Sequence, residues 1–283
     1  MLSILLRHYR RIAVFAGGLA LFCAMLVAQA GLQYGTPVYI GGFLLLLGLF
    51  AALTLALYKV APRYRGLLEI VGLGAWAGTF ALLMPGTGLI AMALGLVVFV
   101  ASSVGLFMFL RSDMSHRIGN QTTWRDRYSG QVSYPARLVW RHVVPGAAEP
   151  GDHCTGMMER YDVDPDDPDT VHVTFKGRND RAAAYTLTFL ERDQPNSCRF
   201  FFQGNEADGT LVDGIFSLRI TVLDRDSCFV SCVEERCGLS LGSLLERWFD
   251  DALGFQHDRL VDKLDTLYGE KYGARKPSML ATE

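Results

Sequence analysis

Residues 240–268 read SLGSLLERWFDDALGFQHDRLVDKLDTLY, and the spacing of their apolar side chains decides how the chain must be arranged. At intervals of three or four, Leu245, Phe249, Leu253, Gln256, Leu260, Leu264 and Leu267 fall on one helical stripe. Leu241, Leu244, Trp248 and Ala252 widen its start, while Arg247, Asp250, Asp251, Asp258, Asp262 and Asp265 take the opposite face. Ser240, or Ser243 with Glu246 three residues on, is a capping signal, and Gly269 is a natural stop. The pattern predicts one helix of roughly 40 Å, at about 1.5 Å per residue. Such a stripe needs a broad apolar partner, and a sheet is the one expected. Gln256 is its single polar interruption.

The rest of the chain divides in two. Half of the 283 residues are hydrophobic, but charge is unevenly spread. Up to Leu110 the charged residues are Arg7, Arg10, Arg11, Lys59, Arg63, Arg65 and Glu69, a net +5; the whole chain carries −2, which leaves −7 beyond. An acidic second half excludes nucleic acid as a partner, since phosphate contacts need a basic face. The first half, 1–110, holds four apolar runs at 12–31, 37–58, 67–84 and 88–110. Each is long enough, by this reading, to cross a hydrocarbon core of about 30 Å as a helix. A signal peptide accounts for the first run only. The expectation is a four-helix membrane bundle.

Basic residues alternate along it. Arg7, Arg10 and Arg11 precede the first run, the loop at 32–36 is uncharged, Lys59, Arg63 and Arg65 fill the second loop, 85–87 is uncharged, and Arg111, Arg117, Arg125 and Arg127 follow the fourth run. This predicts an integral membrane protein with both termini cytoplasmic, as in a bacterial inner membrane. No ionisable residue lies deep in a run, so transport is not indicated. Glu69 reads as a solvated residue at the cytoplasmic end of the third run, and Gly74-x-x-x-Gly78 as close packing within the bundle. Cys154, Cys198, Cys228, Cys232 and Cys237 are dispersed, without a CxxC or a histidine pair nearby. They read as reduced, small apolar residues, with no metal and no cofactor implied.

After a polar linker at 111–121 the pattern changes to strands. They are expected at 122–128, 154–163, 170–177, 184–191, 198–205, 214–223 and 228–238, with a short helix at 135–144 after the first and turn-rich segments between the rest. Short loops imply antiparallel hairpins. Val171, Val173 and Phe175 share one face, as do Tyr185, Leu187 and Phe189, Phe200 and Phe202, and Phe216, Leu218, Ile220 and Val222. A sheet with one apolar face and a long terminal helix to cover it gives an α+β domain at 122–272, followed by a flexible tail at 273–283.

The order strand, short helix, six strands, long helix resembles the helix-grip fold of the START-like (SRPBCC) superfamily of polyketide cyclase/dehydrase and lipid-transfer domains. The resemblance rests on Tyr134-Pro135-Ala136-Arg137-Leu138-Val139-Trp140, Tyr185-Thr186-Leu187-Thr188-Phe189-Leu190-Glu191, Gly214-Ile215-Phe216-Ser217-Leu218 and the terminal helix around Arg247-Trp248-Phe249-Asp250-Asp251. It implies a curved sheet gripping that helix around a cavity for an apolar molecule such as a lipid, sterol or isoprenoid.

Side chains expected between sheet and helix are Val173, Phe175, Leu187, Phe189, Phe200 and Phe202, with Phe216, Leu218, Phe249 and Leu253. Gln256, Tyr161, Tyr185 and Trp140 are the polar candidates to orient a ligand. His172 should point outward, and His142, His153 and His257 read as surface residues. No histidine stands beside a nucleophile or carboxylate in a catalytic pattern, so no catalytic residue is assigned. The leading expectation is a membrane-anchored domain that binds or transfers a hydrophobic ligand, with membrane lipids as partners. A cyclase or dehydratase acting on an apolar substrate is the second. An interaction protein using the aspartates of 164–169 and the aspartate-rich outer face of the terminal helix to recruit an unidentified protein is the third.

Overall fold

The computed structural model describes residues 8–31, 35–60, 65–84, 88–119, 122–176, 182–205 and 210–272. Arg7 and Arg63, the side chains of Lys59 and Arg65, the loops 32–34 and 85–87, residues 120–121, the turns 177–180 and 208–209 and the tail 273–283 lie outside the described residues. In chain order the elements are α1 (Tyr9–Gln29, with a π turn at Ala13–Gly17), α2 (Thr36–Val60), α3 (Arg65–Leu82), α4 (Leu89–Leu110), α5 (Asp113–Gly119), β1 (Trp124–Val132) and α6 (Ala136–Val143). There follow β2 (Met158–Val163), β3 (Thr170–Lys176), β4 (Ala182–Asp193), β5 (Ser197–Asn205), β6 (Leu211–Val222), β7 (Cys228–Cys237), α7 (Leu241–Phe249) and α8 (Ala252–Tyr272). The chain forms two compact units, Met1–Ser115 with Leu241–Asp250, and His116–Ser240 with Asp251–Glu283.

In the helical unit, α1, α2 and α4 are long and apolar enough to cross a membrane. The expected third span is not. The apolar part of α3, Gly66–Leu82, covers only about 26 Å at 1.5 Å per residue, short of a core of about 30 Å. Glycines bring α3 against its neighbours: a Cβ on Gly72 would lie 2.7 Å from the Cα of Phe15, and one on Gly18 2.8 Å from the carbonyl of Gly72. Gly74 and Gly78 face Ser103, Phe99 and Gly95 of α4, so this glycine pair does serve packing within the bundle. Phe15 meets Gly72, Phe22 meets Gly78, and Gln29 Nε2 donates to the Leu82 carbonyl at 3.2 Å, so α1 and α3 run parallel. The pairing of Gly74 with Ser103 and of Leu82 with Gly95 makes α3 and α4 antiparallel. The start of α1 and the end of α4 therefore lie at the same end of the bundle.

Glu69 corrects its expectation. It is 1% exposed, and its Oε1 accepts from Arg11 Nε at 2.9 Å. Arg11, also buried, pairs with Asp250 at 3.0 Å as well. A carboxylate in an apolar bundle is tolerated when such a cation offsets the loss of hydration.

The expected long helix is likewise two helices. The amide of Asp250 bonds the Glu246 carbonyl, ending α7, and the Asp251 carboxylate accepts from the Gly254 amide at 3.0 Å, capping α8. α7 belongs to the helical unit and α8 to the sheet unit. α8 runs past Gly269 to Tyr272, and Leu267 and Trp248, expected on the buried stripe, are 51% and 43% exposed.

In the sheet unit seven strands form one antiparallel sheet in the order β1-β7-β6-β5-β4-β3-β2. The first strand is thus drawn across to pair with the last, Asp126 opposite Glu234 and Val132 opposite Cys228. α6 and the second half of α8 cover one face, and Trp140, Val139, Leu260 and Leu264 are buried there. Val222, expected with the apolar face, is exposed at the strand end.

Candidate ligand site on the inner face of the sheet

Buried and half-buried side chains lie side by side on the covered face. Val173, Leu187, Phe189, Phe200, Phe202 and Leu218 join Trp140 in one core cluster, each 7% exposed or less. Phe175, Tyr161, Tyr185 and Phe216 pack against that cluster but are only half-buried. They extend it as an aromatic row. Phe175 and Tyr185 meet edge to face with ring centres 6.0 Å apart, Tyr185 and Phe202 at 6.2 Å, and Phe200 stacks on Phe216 at 5.0 Å. Two glycines make room. Gly146, at φ +76°, lies under the Tyr161 ring, where a Cβ would come within 2.0 Å, and Gly214 lies under Phe202.

The row runs into charge. Alternation along β1 and β7 puts Trp124, Asp126 and Tyr128, and Glu234 and Arg236, on the same face as Val132 and Val230. Glu234 is 5% exposed and stands opposite Phe216 on β6. Arg236 Nε donates to Glu234 Oε1, and its guanidinium lies 4.9 Å from the Phe202 ring centre. From α8, the His257 ring packs at a tilt against Tyr128 with centres 4.6 Å apart, beside the half-buried Gln256. The indole N–H of Trp124 is buried and meets no acceptor among the described residues. Two carboxylates, a guanidinium, a phenol and an indole thus border an aromatic surface, as groups that orient the polar end of a mostly apolar molecule would.

Leu253 is buried at the start of α8 outside the core cluster, whereas Phe249 is buried on α7, in the helical unit and not with the other candidates. His172 points outward as expected and bonds Asp164 and Thr186. His142 corrects its expectation: it is fully buried, with Nδ1 2.6 Å from the Asp152 carbonyl oxygen and Nε2 3.4 Å from the Tyr268 hydroxyl. His153 is half-buried, donating from Nε2 to the Val143 carbonyl at 3.1 Å, and burial pushes its pKa down to about 4 against that bond. Burial holds the thiols of Cys154 and Cys232 up at about 12 and that of Cys228 at about 11, which disfavours thiolate chemistry. The loop aspartates satisfy their own turns, Asp164 accepting from the Asp166 amide and Asp167 from the Asp169 amide.

Asp126, Tyr128, Glu234 and Arg236 were not among the candidates read from sequence. Their signal was present, since Cys228, Val230, Cys232, Glu234 and Arg236 alternate on one strand. It was missed because charge at the end of an apolar face reads as the strand leaving the core.

No family model and no curated protein matches the chain. Solved structures similar to it include a conserved protein from Geobacillus kaustophilus, at 8% identity and TM-score 0.41 over 52% of this chain and 96% of that one. Others are truncated norcoclaurine synthase from Thalictrum flavum, at 15% identity and TM-score 0.39 over 52% and 94%, and the Zhui aromatase/cyclase from Streptomyces sp. R1128, at 12% identity and TM-score 0.37 over 53% and 99%.

Proposed function

We propose that this chain is a membrane-anchored START-like domain that binds or transfers a hydrophobic molecule with a polar end, of the lipid, sterol-like or isoprenoid kind. The apolar body lies along Phe175, Tyr185 and Phe216, and the polar end meets Asp126, Glu234, Arg236 and the Trp124 indole. The observation that carries this reading is the buried Glu234, paired with the half-buried Arg236, beside a half-buried aromatic row. Ions on the covered face of a small sheet cost desolvation free energy, and a bound polar group is what such an arrangement fits.

The helical unit is the anchor. Arg10, Arg11 and Arg111 gather at one end of the bundle, which the bias of basic residues makes cytoplasmic. The parallel and antiparallel pairings support one side for the start of α1 and the end of α4, and α3, if it also crosses, does so by local thinning or shielding by neighbours. The test is retention. Purified full-length protein, stripped of lipid and offered phospholipid, sterol and isoprenoid mixtures, is expected to keep one class at one molecule per chain. Retention of none refutes the binding reading.

A further inference from the structure

We propose that α7 is an interfacial helix, seated in the phospholipid head-group layer and clasped to the bundle where its half-buried Asp250 meets the buried Arg11–Glu69 pair. This is independent of what the sheet unit binds. The residues come from three places in sequence but one unit: Arg11 from the first turn of α1, Glu69 from the first turns of α3, and Asp250 from the end of α7. Arg11 holds both carboxylates, and Glu246 of α7 lies against Gly66 of α3, 3.0 Å from where a Cβ would stand. Beside the clasp, Arg10 donates to the Trp248 carbonyl at 2.8 Å and its guanidinium lies 5.2 Å from the Trp248 ring centre. Arg10 Nε also donates to the Tyr9 hydroxyl at 3.0 Å.

Trp248 and Tyr9 are 43% and 56% exposed, while their neighbours Phe249 and Arg11 are 1% exposed. Tyr9 is also the first residue of an apolar helix long enough to span. An arginine bridging an exposed tryptophan and tyrosine where a span begins is the composition found at head-group depth, where rings sit half in hydrocarbon and cations reach phosphate. A head-group layer is therefore the occupant that fits this patch. The chain is then tied to the bilayer surface on both sides of the sheet in sequence, through α4 before β1 and through α7 after β7.

The experiment is depth-dependent quenching of tryptophan in full-length protein reconstituted into phosphatidylcholine vesicles. The emission of Trp248 is taken as the difference between wild type and Trp248→Phe. Bromines near the head-group end of the acyl chains should quench this difference signal more strongly than bromines near the chain ends. Equal quenching at both depths, or none, overturns the interfacial placement. Asp250→Asn, which leaves the Arg11–Glu69 pair in place, should lose that shallow quenching while circular dichroism is unchanged. Shallow quenching that persists in Asp250→Asn overturns the clasp.

Discussion

Glu234 and Arg236 show what a single pair does inside a sheet unit. Removing Arg236 takes a partner from the buried Glu234 carboxylate, so Arg236→Ala should destabilise the unit by up to about 3–5 kcal/mol, the cost of breaking a buried pair. Replacing both, as Glu234→Leu with Arg236→Met, should recover most of that loss in urea unfolding while abolishing ligand retention. A double variant that still retained ligand would show the pair to be structural only. His153 gives a pH signature. Its folded pKa of about 4 lies below the ordinary 6.5, so the unfolded state takes up the proton first. Stability is therefore full above about pH 6.5 and falls as pH drops from there toward about 4, by at most about 3 kcal/mol at 1.36 kcal/mol per unit. Urea midpoints from pH 4 to pH 8 should converge for wild type and His153→Gln at the acid end, and parallel curves would contradict the assignment.

At the scale of elements, the strand faces were legible because a period of two leaves little choice once one face is buried. Val173, Leu187, Phe200 and Leu218 are buried together as their alternation required. The break between α7 and α8 was not legible. Asp250 and Asp251 fit the polar face of a continuous helix as well as they fit an end and a cap, and local pattern cannot choose between the two. Nor does a sequence show that Glu69 meets an arginine 58 positions away. The cap is testable: Asp251→Ala removes the acceptor of the Gly254 amide and should cost about 1 kcal/mol. In the bundle, Gly72→Ala meets the Phe15 backbone and should cost about 1–3 kcal/mol by overpacking. Gly105→Ala meets nothing within 4 Å, so its melting temperature in detergent should not fall. Equal effects of the two would contradict the α1–α3 packing.

The chain joins a helical unit, with three helices among the described residues long and apolar enough to span a membrane, to a sheet unit whose covered face carries charge on β1 and β7. Under the proposed function, an apolar ligand is concentrated in a bilayer, so a chain anchored in that bilayer has a shorter search for it. The most direct measurement is native mass spectrometry of the full-length protein released from lipid nanodiscs, wild type beside the Glu234→Leu/Arg236→Met variant. The account predicts a wild-type adduct of one defined mass at one per chain, absent from the folded variant. A bare wild-type mass, or an adduct that the variant keeps, would contradict it.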